Sequence, residues 1–224
     1  MERDTFLWGM KSPLPNAILK SWPEGDIRQR WGENPQLYSP NMGQLHSFVG
    51  GHVGVDIATK HRDPVYAAHE GTVPSHMIFN DARRPGGREL WVYSPPLDGE
   101  DFGNSQVCTV YCHLDQIVAK PGSYVKQGDL IGYEGNSGFV VSGSTEYWGN
   151  APAGVGTHLH FGMYERILKN GEWVQRYPRD LPLKGSSDPL PYITESAENP
   201  YGDLGGLAVV LKNIAAYLRK LAGR

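Results

Sequence analysis

The chain is poor in cysteine, which excludes one class of small secreted protein. Its 224 residues include two cysteines, Cys108 and Cys112. On a strand running through 107–113 the two Cα atoms would lie about 13 Å apart, whereas a disulfide needs them within roughly 7 Å. The sequence therefore predicts two buried thiols and no disulfide framework.

Excess charge and long apolar runs are also absent. The formal net charge is -3 and the body has no cluster of lysine or arginine, so charge gives no case for a nucleic-acid partner. No stretch is apolar enough to span a bilayer, and the first residues, Met-Glu-Arg-Asp, do not begin a secretory signal peptide. If the protein acts outside the cytoplasm, we expect release by cell lysis or by an unconventional route.

Glycine and proline, by contrast, are abundant, with 28 and 17 residues. They separate short apolar runs that predict strands at 53–58, 64–68, 71–73, 90–93, 107–113, 123–125, 129–134 and 159–164. Strands at this spacing predict an all-β domain of antiparallel sheets packed face to face. The Gly- and Ser-rich stretches 80–87, 95–105 and 142–156 predict loops at the walls of a groove.

Two of the eight histidines lie in the segment His158-Leu159-His160-Phe161. Alternate side chains of a strand share a face, so both imidazoles would point into one cavity while Leu159 and Phe161 enter the core. This pattern predicts one chemical face and one structural face.

A second segment pairs His52 with Asp56. On a straight strand these residues would lie about 13 Å apart, whereas two ligands of one tetrahedral zinc lie about 3 to 3.5 Å apart. The chain must therefore bend between them if both bind one metal. Gly54 allows such a bend, and the β-branched neighbours argue against a helix.

The strand 107–113 supplies a third histidine. Alternation places Thr109, Tyr111 and His113 on one face, which we assign to the site, and Cys112 on the other. Cys112 would need a β-bulge to become a ligand. Tyr111 and Asp115 are candidates to orient a histidine, against the simpler interpretation of a packed aromatic and an exposed carboxylate.

The remaining histidines have no motif position, and we expect them at the surface. They are His46, His61, His69 and His76.

The order of these motifs resembles that of a known enzyme family. The motifs are His52-x-x-x-Asp56, Asp63-Pro-Val-Tyr-Ala-Ala-His-Glu-Gly-Thr-Val73, Thr109-Val-Tyr-Cys-His-Leu114, Val125-Lys-Gln-Gly-Asp-Leu-Ile-Gly132, Gly135-Asn-Ser-Gly138 and Thr157-His-Leu-His-Phe161. Over 28–164 the chain resembles the lysostaphin and LytM type of zinc endopeptidase, peptidase family M23. The resemblance implies antiparallel sheets packed as a barrel-sandwich hybrid.

The resemblance also implies roles for five residues. In that family the His and Asp of HxxxD and the second His of HxH bind zinc, which implies His52, Asp56 and His160 as ligands of one zinc ion per chain. The lone His of the preceding strand and the first His of HxH form the catalytic pair, here His113 and His158. Three protein ligands leave one zinc position for water. The two histidines would orient or deprotonate the water and protonate the leaving amine, in an order that the sequence does not assign.

The implied function is that of a zinc metalloendopeptidase acting on peptide stems or cross-bridges of bacterial peptidoglycan. It would work at the cell wall, extracellular or periplasmic, in lysis or remodelling, and a phage-encoded lysin is one origin. Both a glycyl-glycine and a D-alanyl-diamino-acid bond stay open. Two alternatives remain: a catalytically silent relative that binds wall or regulates another hydrolase, and a carrier or phosphotransfer domain, because 125–131 also resembles sheet turns of such domains.

The ends of the chain differ from its body. We predict an N-terminal extension at 1–26, the catalytic domain at 27–190, a linker at 191–203 and a helix at 204–224. Leucine and isoleucine recur there at spacings of three and four, and the four charged residues within 204–224 are all positive. Three roles stay open for this helix. It packs on the body, it self-associates, or it contacts an anionic envelope polymer or membrane as a cationic amphipathic helix.

Overall fold

The computed structural model describes residues 9–35, 51–97, 105–176 and 186–195. Within these ranges the regular structure is strand, apart from the 3-10 turns Ser75–Met77 and Leu190–Tyr192. The all-β prediction is confirmed, while the helix predicted at 204–224 lies outside the described residues. No helix within the described ranges is long and apolar enough to cross a membrane.

The strands are short in the first half of the chain and longer near its middle. In order they are β1 Met10–Lys11, β2 Ile27–Gln29, β3 Val55–Ile57, β4 Pro64–Tyr66, β5 Gly71–Thr72, β6 Ile78–Phe79, β7 Arg88–Tyr93, β8 Ser105–Leu114, β9 Gln116–Ile117, β10 Tyr124–Val125, β11 Leu130–Tyr133, β12 Ser137–Ser142, β13 Thr145–Asn150, β14 Leu159–Lys169, β15 Glu172–Gln175, β16 Ser186–Ser187 and β17 Ile193–Glu195.

A ten-stranded antiparallel sheet forms the centre of the described structure. Its main path runs β10-β5-β7-β8-β14-β3-β2, while β6 pairs with β7, and β15 and β16 pair with β14. A second sheet, β4-β11-β9, supplies Val65 and Ile131 to the same buried cluster as Tyr111 and Phe161 of the central sheet. The core therefore lies between sheets, as their alternating apolar residues require.

One part of the chain departs from the expected pattern. The stretch predicted as a loop at 142–156 contains β13, which pairs with β12 as an antiparallel hairpin from Ser137↔Asn150 to Ser142↔Thr145. Several glycines concealed this hairpin, although its valine, threonine and aromatic residues favour strands.

The described part of the N-terminal extension packs into the core. Met10, Leu14, Ala17 and Leu19 are at most 2% exposed. Proline interruptions gave this segment no periodic pattern, so its apolar residues carried no secondary-structure signal.

Candidate metal centre and active site

Three predicted ligands converge where β3 and β14 pair. His52 Nε2 lies 2.9 Å from His160 Nδ1. Asp56 Oδ1 lies 3.1 Å from His52 Nε2 and 3.0 Å from His160 Nδ1. The three atoms form a nearly equilateral triangle, of the size that bonds of about 2 Å to one tetrahedral ion require.

The bend between His52 and Asp56 has a specific cause. A Cβ atom built on Gly54 would lie 2.6 Å from the Phe161 carbonyl oxygen and 2.9 Å from the His160 ring. The missing side chain therefore lets the chain pass against β14, so that His52 reaches the carboxylate four residues ahead.

Hydrogen bonds favour the tautomer of His52 that a metal needs. His52 Nδ1 lies 3.3 Å from the Arg30 carbonyl oxygen, and a carbonyl can only accept. Nδ1 therefore carries the proton and Nε2 presents its lone pair to the triangle. The backbone holds the residue further, since Gly32 N donates to the His52 carbonyl and His52 N donates to the Glu33 carbonyl.

The charges of the triangle are strongly linked. Burial disfavours the protonated form of His52, but the adjacent Asp56 carboxylate outweighs it and raises the pKa of His52. Burial also disfavours ionised Asp56, yet electrostatic interaction with His52 and His158 holds the pKa of Asp56 well below its usual range. Burial lowers the pKa of His160. An ionised carboxylate between two buried imidazoles suits a bound cation.

The two remaining predicted histidines lie beside the triangle. The ring centroids of His113 and His158 are 4.5 Å apart, and His158 Nε2 lies 3.9 Å from Asp56 Oδ2. His113 Nδ1 donates to the Ser137 carbonyl at 2.7 Å, and His158 Nδ1 donates to a backbone carbonyl at 2.8 Å. In both rings Nε2 is therefore the nitrogen that can accept a proton.

A β-bulge brings His113 to this side of the sheet. Between the pairs Arg88↔Leu114 and Leu90↔Tyr111, two residues of β8, Cys112 and His113, oppose one residue of β7. His113 has φ 62, in the left-handed region. Such a bulge interrupts the alternation of side chains and re-aims one of them.

The bulge also corrects the face predicted for Tyr111 and Thr109. Both are completely buried, and the Tyr111 ring packs 5.2 Å from that of Phe161 in the core. The simple alternation assigned them to the site because it carried no bulge. Asp115, the other candidate orienting residue, lies 3.3 Å from Arg62 Nε and 3.9 Å from His61 Nε2.

The surface prediction for His69 is also wrong. His69 is 1% exposed; its Nδ1 donates to the Glu70 carbonyl and its Nε2 accepts from the Thr109 hydroxyl. His76 is exposed as expected, His61 is half-buried, and His46 lies outside the described residues.

The candidate site opens into a groove of about 1170 Å³, which we call the active-site groove. Its base contains the triangle, the two neighbouring histidines, Glu89, Trp91, Val110 and Cys112, and its wall is formed by 139–143, Gly154, Gly156 and Thr157. The predicted groove wall at 142–156 is thus present, although part of it is a hairpin. Sequence reasoning missed Glu89, which belongs to no motif, and the carbonyl partners of the histidines, since every residue offers a carbonyl.

Comparison with known proteins gives one family match. Residues 50–175 match the family model described as peptidase family M23. The chain is 29% identical over 158 residues to peptidoglycan DD-endopeptidase ShyB of Vibrio cholerae, an alignment that covers 69% of this chain and 28% of that protein. It is 23% identical to peptidoglycan DD-endopeptidase ShyA of the same organism, covering 76% of this chain and 33% of that protein. The chain thus spans about a third or less of these relatives.

Among solved structures, a zinc-containing peptidase from Vibrio cholerae aligns with a TM-score of 0.44 and 24% identity, covering 77% of this chain and 41% of that one. The catalytic domain of the antimicrobial peptidase lysostaphin from Staphylococcus simulans aligns with a TM-score of 0.40 and 23% identity, covering 64% and 79%.

Proposed function

Because the chain belongs to peptidase family M23, we propose that it is a zinc metalloendopeptidase that hydrolyses peptide stems or cross-bridges of bacterial peptidoglycan at the cell wall. One observation carries the proposal: the triangle of His52, Asp56 and His160 lies beside two histidines whose Nε2 atoms can accept protons, at the base of an open groove. The names of the relatives support the substrate class.

The donor set fits zinc. Two imidazole nitrogens and one carboxylate oxygen lie within 4.8 Å of one another, and His52 is already fixed in the tautomer that offers Nε2. Three protein ligands are typical of catalytic zinc sites. When bound, zinc would supply a Lewis acid for the scissile carbonyl and an acidified water as nucleophile.

The protein's own contribution is proton transfer and positioning. His113 and His158, each held through Nδ1 by a backbone carbonyl, present Nε2 to the active-site groove. Either nitrogen can take a proton from the attacking water and pass a proton to the leaving amine. Burial, followed by electrostatic interaction with the nearby His158 and His160, lowers the pKa of His113 to about 3. His113 is therefore neutral at pH 7.

The open groove suits a branched peptide. Its wall is formed by a hairpin and a glycine-containing loop rather than by a closed pocket. A polymer-linked substrate needs access from the side, which a groove of this kind permits.

The test is mass spectrometry of fragments that the zinc-loaded chain releases from purified peptidoglycan of several chemotypes. New amino termini identify the bond that is cut. His113→Asn is the matched variant, because asparagine tolerates the left-handed backbone but cannot transfer the proton. We expect His113→Asn to keep one zinc per chain and to lose about 10²- to 10⁴-fold in rate.

Two results would contradict the proposal. Zinc-loaded protein that releases no fragment from any chemotype would point to the silent, wall-binding alternative. Purified protein with no affinity for zinc would point to the carrier or phosphotransfer alternative.

A further inference from the structure

One row of side chains links the candidate metal centre to a glutamate that the proposed chemistry does not use. Asp56 on β3 pairs with His160 on β14, and His160 pairs with Cys112 on β8. The bulge at Cys112 and His113 places Glu89 of β7 opposite them. Paired residues of antiparallel strands project from the same face of the sheet. Glu89 accordingly lines the active-site groove.

The Glu89 carboxylate is largely buried, and its polar contacts are long. Its side chain is 14% exposed. Oε1 lies 3.5 Å from Trp91 Nε1 and 3.8 Å from Arg84 Nη2, and Oε2 lies 3.9 Å from Cys112 Sγ. These distances are at or beyond the long end of the hydrogen-bonding range. A carboxylate removed from water gains from a closer donor, above all from a charged one.

Arg84, the cation beside Glu89, does not supply such a close donor. Arg84 is 43% exposed, and its guanidinium carbon lies over the Phe79 ring at 3.8 Å from the centroid. Stacking of this kind holds a guanidinium against an aromatic face. Arg84 therefore contacts Glu89 at long range and is held by Phe79 rather than by the carboxylate.

We propose that Glu89 is a specificity-determining residue that binds an ammonium group of the peptide substrate. The inference rests on the proposed function, since it concerns the substrate of the same groove. Trp91, two residues along β7, stacks on Tyr164 with ring centroids 5.2 Å apart. Aromatic rings beside a carboxylate favour a cation over an anion.

The position of Glu89 limits where this ammonium group lies. Neighbouring strands are about 4.8 Å apart, so β7 runs about 10 Å from β14, which carries His160. An extended peptide spans about 3.4 Å per residue. The recognised ammonium therefore belongs to a side chain or branch within about three residues of the scissile bond, as in a stem peptide that contains a diamino acid.

The experiment compares two synthetic stem tetrapeptides that carry lysine at the third position, one with a free side-chain amine and one with that amine acetylated. Dissociation constants are measured by calorimetry for the zinc-loaded full chain. We expect wild type to bind the free amine about 10-fold more tightly, a typical effect of one charge-assisted contact. Glu89→Gln, which keeps the shape and removes the charge, should bind both peptides equally.

Glu146→Gln is the control, because Glu146 is an exposed glutamate that also lines the active-site groove. This variant should keep the preference for the free amine. Equal binding of both peptides by wild type, or an unchanged preference in Glu89→Gln, would overturn the inference. Fragment release from peptidoglycan is scored separately. A chain that binds the free amine more tightly but cuts no bond would support the role of Glu89 and contradict the proposed function. A chain that cuts peptidoglycan but binds both peptides equally would support the proposed function and contradict the role of Glu89.

Discussion

Two buried histidines lie on opposite sides of β8, and their second ring nitrogens face different surroundings. On the core side, His69 donates through Nδ1 to the Glu70 carbonyl and accepts through Nε2 from the Thr109 hydroxyl. On the groove side, His113 donates through Nδ1 to the Ser137 carbonyl, which leaves Nε2 for the groove. Burial lowers the pKa of His69 to about 4 and that of His113 to about 3.

Burial and a low pKa therefore do not by themselves identify a functional histidine. Both rings are neutral at pH 7, and both are held by backbone carbonyls. What distinguishes them is whether the second nitrogen is already bonded inside the protein. A site needs an imidazole nitrogen that substrate, water or metal can reach.

The largest expected difference is between a variant that removes a groove-side histidine and one that removes the core-side His69. We expect His160→Ala to lose its bound zinc and at least about 10³-fold in the rate of peptidoglycan cleavage, because Lewis-acid stabilisation is worth several kcal/mol. Zinc per chain is measured by elemental mass spectrometry and the rate by fragment release.

The matched core variant is His69→Gln. It should keep one zinc per chain and the wild-type rate per folded molecule, because His69 bonds to the Glu70 carbonyl and the Thr109 hydroxyl and not to the metal triangle. A His160→Ala protein that still bound zinc, or a His69→Gln protein that lost it, would remove the distinction between the two sides.

Much of this site could be predicted from sequence, because alternation along one strand is a local rule. Leu159 and Phe161 are fully buried, and His160 is directed toward the groove, as the period of two requires. The bend between His52 and Asp56 was also predicted, because no straight strand could bring them together. In each case the spacing of residues within a short segment was enough for the prediction.

The rest depended on partners distant in sequence. The bulge that re-aims His113 exists only because Glu89 of β7 opposes two residues of β8. His69 appeared to be a surface residue because Thr109, whose hydroxyl donates to its Nε2, is forty positions away. The β12-β13 hairpin has glycines at 138, 143 and 149, which concealed its strands. Pairing of this kind leaves no periodic signal in a single chain.

The pH dependence of the free energy of unfolding tests whether His69 is held neutral in the core. The pKa of His69 is lower in the folded chain than the ordinary value of 6.5. Between pH 6.5 and 4 the unfolded chain therefore binds more protons, and stability falls as pH falls. The shift from 6.5 to about 4 corresponds to a loss of about 3 kcal/mol over that window. His69→Gln should lack this part of the slope in urea unfolding at a series of pH values.

The comparison of two chains is needed because Glu134 acts in the opposite direction. This carboxyl is buried, which raises its pKa to about 7, so its ionisation costs stability as pH rises. Wild type and His69→Gln both keep Glu134, and its effect cancels in their difference. Identical pH slopes for the two chains would show that His69 is not held neutral in the core.

The third and smallest expected effect concerns Tyr111, whose hydroxyl contacts that of Thr109, the core partner of His69. The Tyr111 hydroxyl accepts from Ala68 N at 2.9 Å and lies 3.1 Å from the Thr109 hydroxyl. Tyr111→Phe keeps the ring but leaves those groups without that oxygen, so we expect a loss of about 1 to 2 kcal/mol in the free energy of unfolding. Urea unfolding measures it, and zinc content and cleavage rate per folded molecule should not change.

Tyr124→Phe is the control for Tyr111→Phe, because Tyr124 is 54% exposed and its hydrogen bond to Glu70 lies at the surface, where water competes for it. We expect its effect to stay within about 0.5 kcal/mol. A Tyr111→Phe protein that lost activity while folded would mean that the core network positions His113, two residues further along β8. The two sides of the strand would then act as one unit. Unchanged activity would instead mean that the bulge isolates His113 from the core network, so that a loss of stability at Tyr111 does not alter the active site.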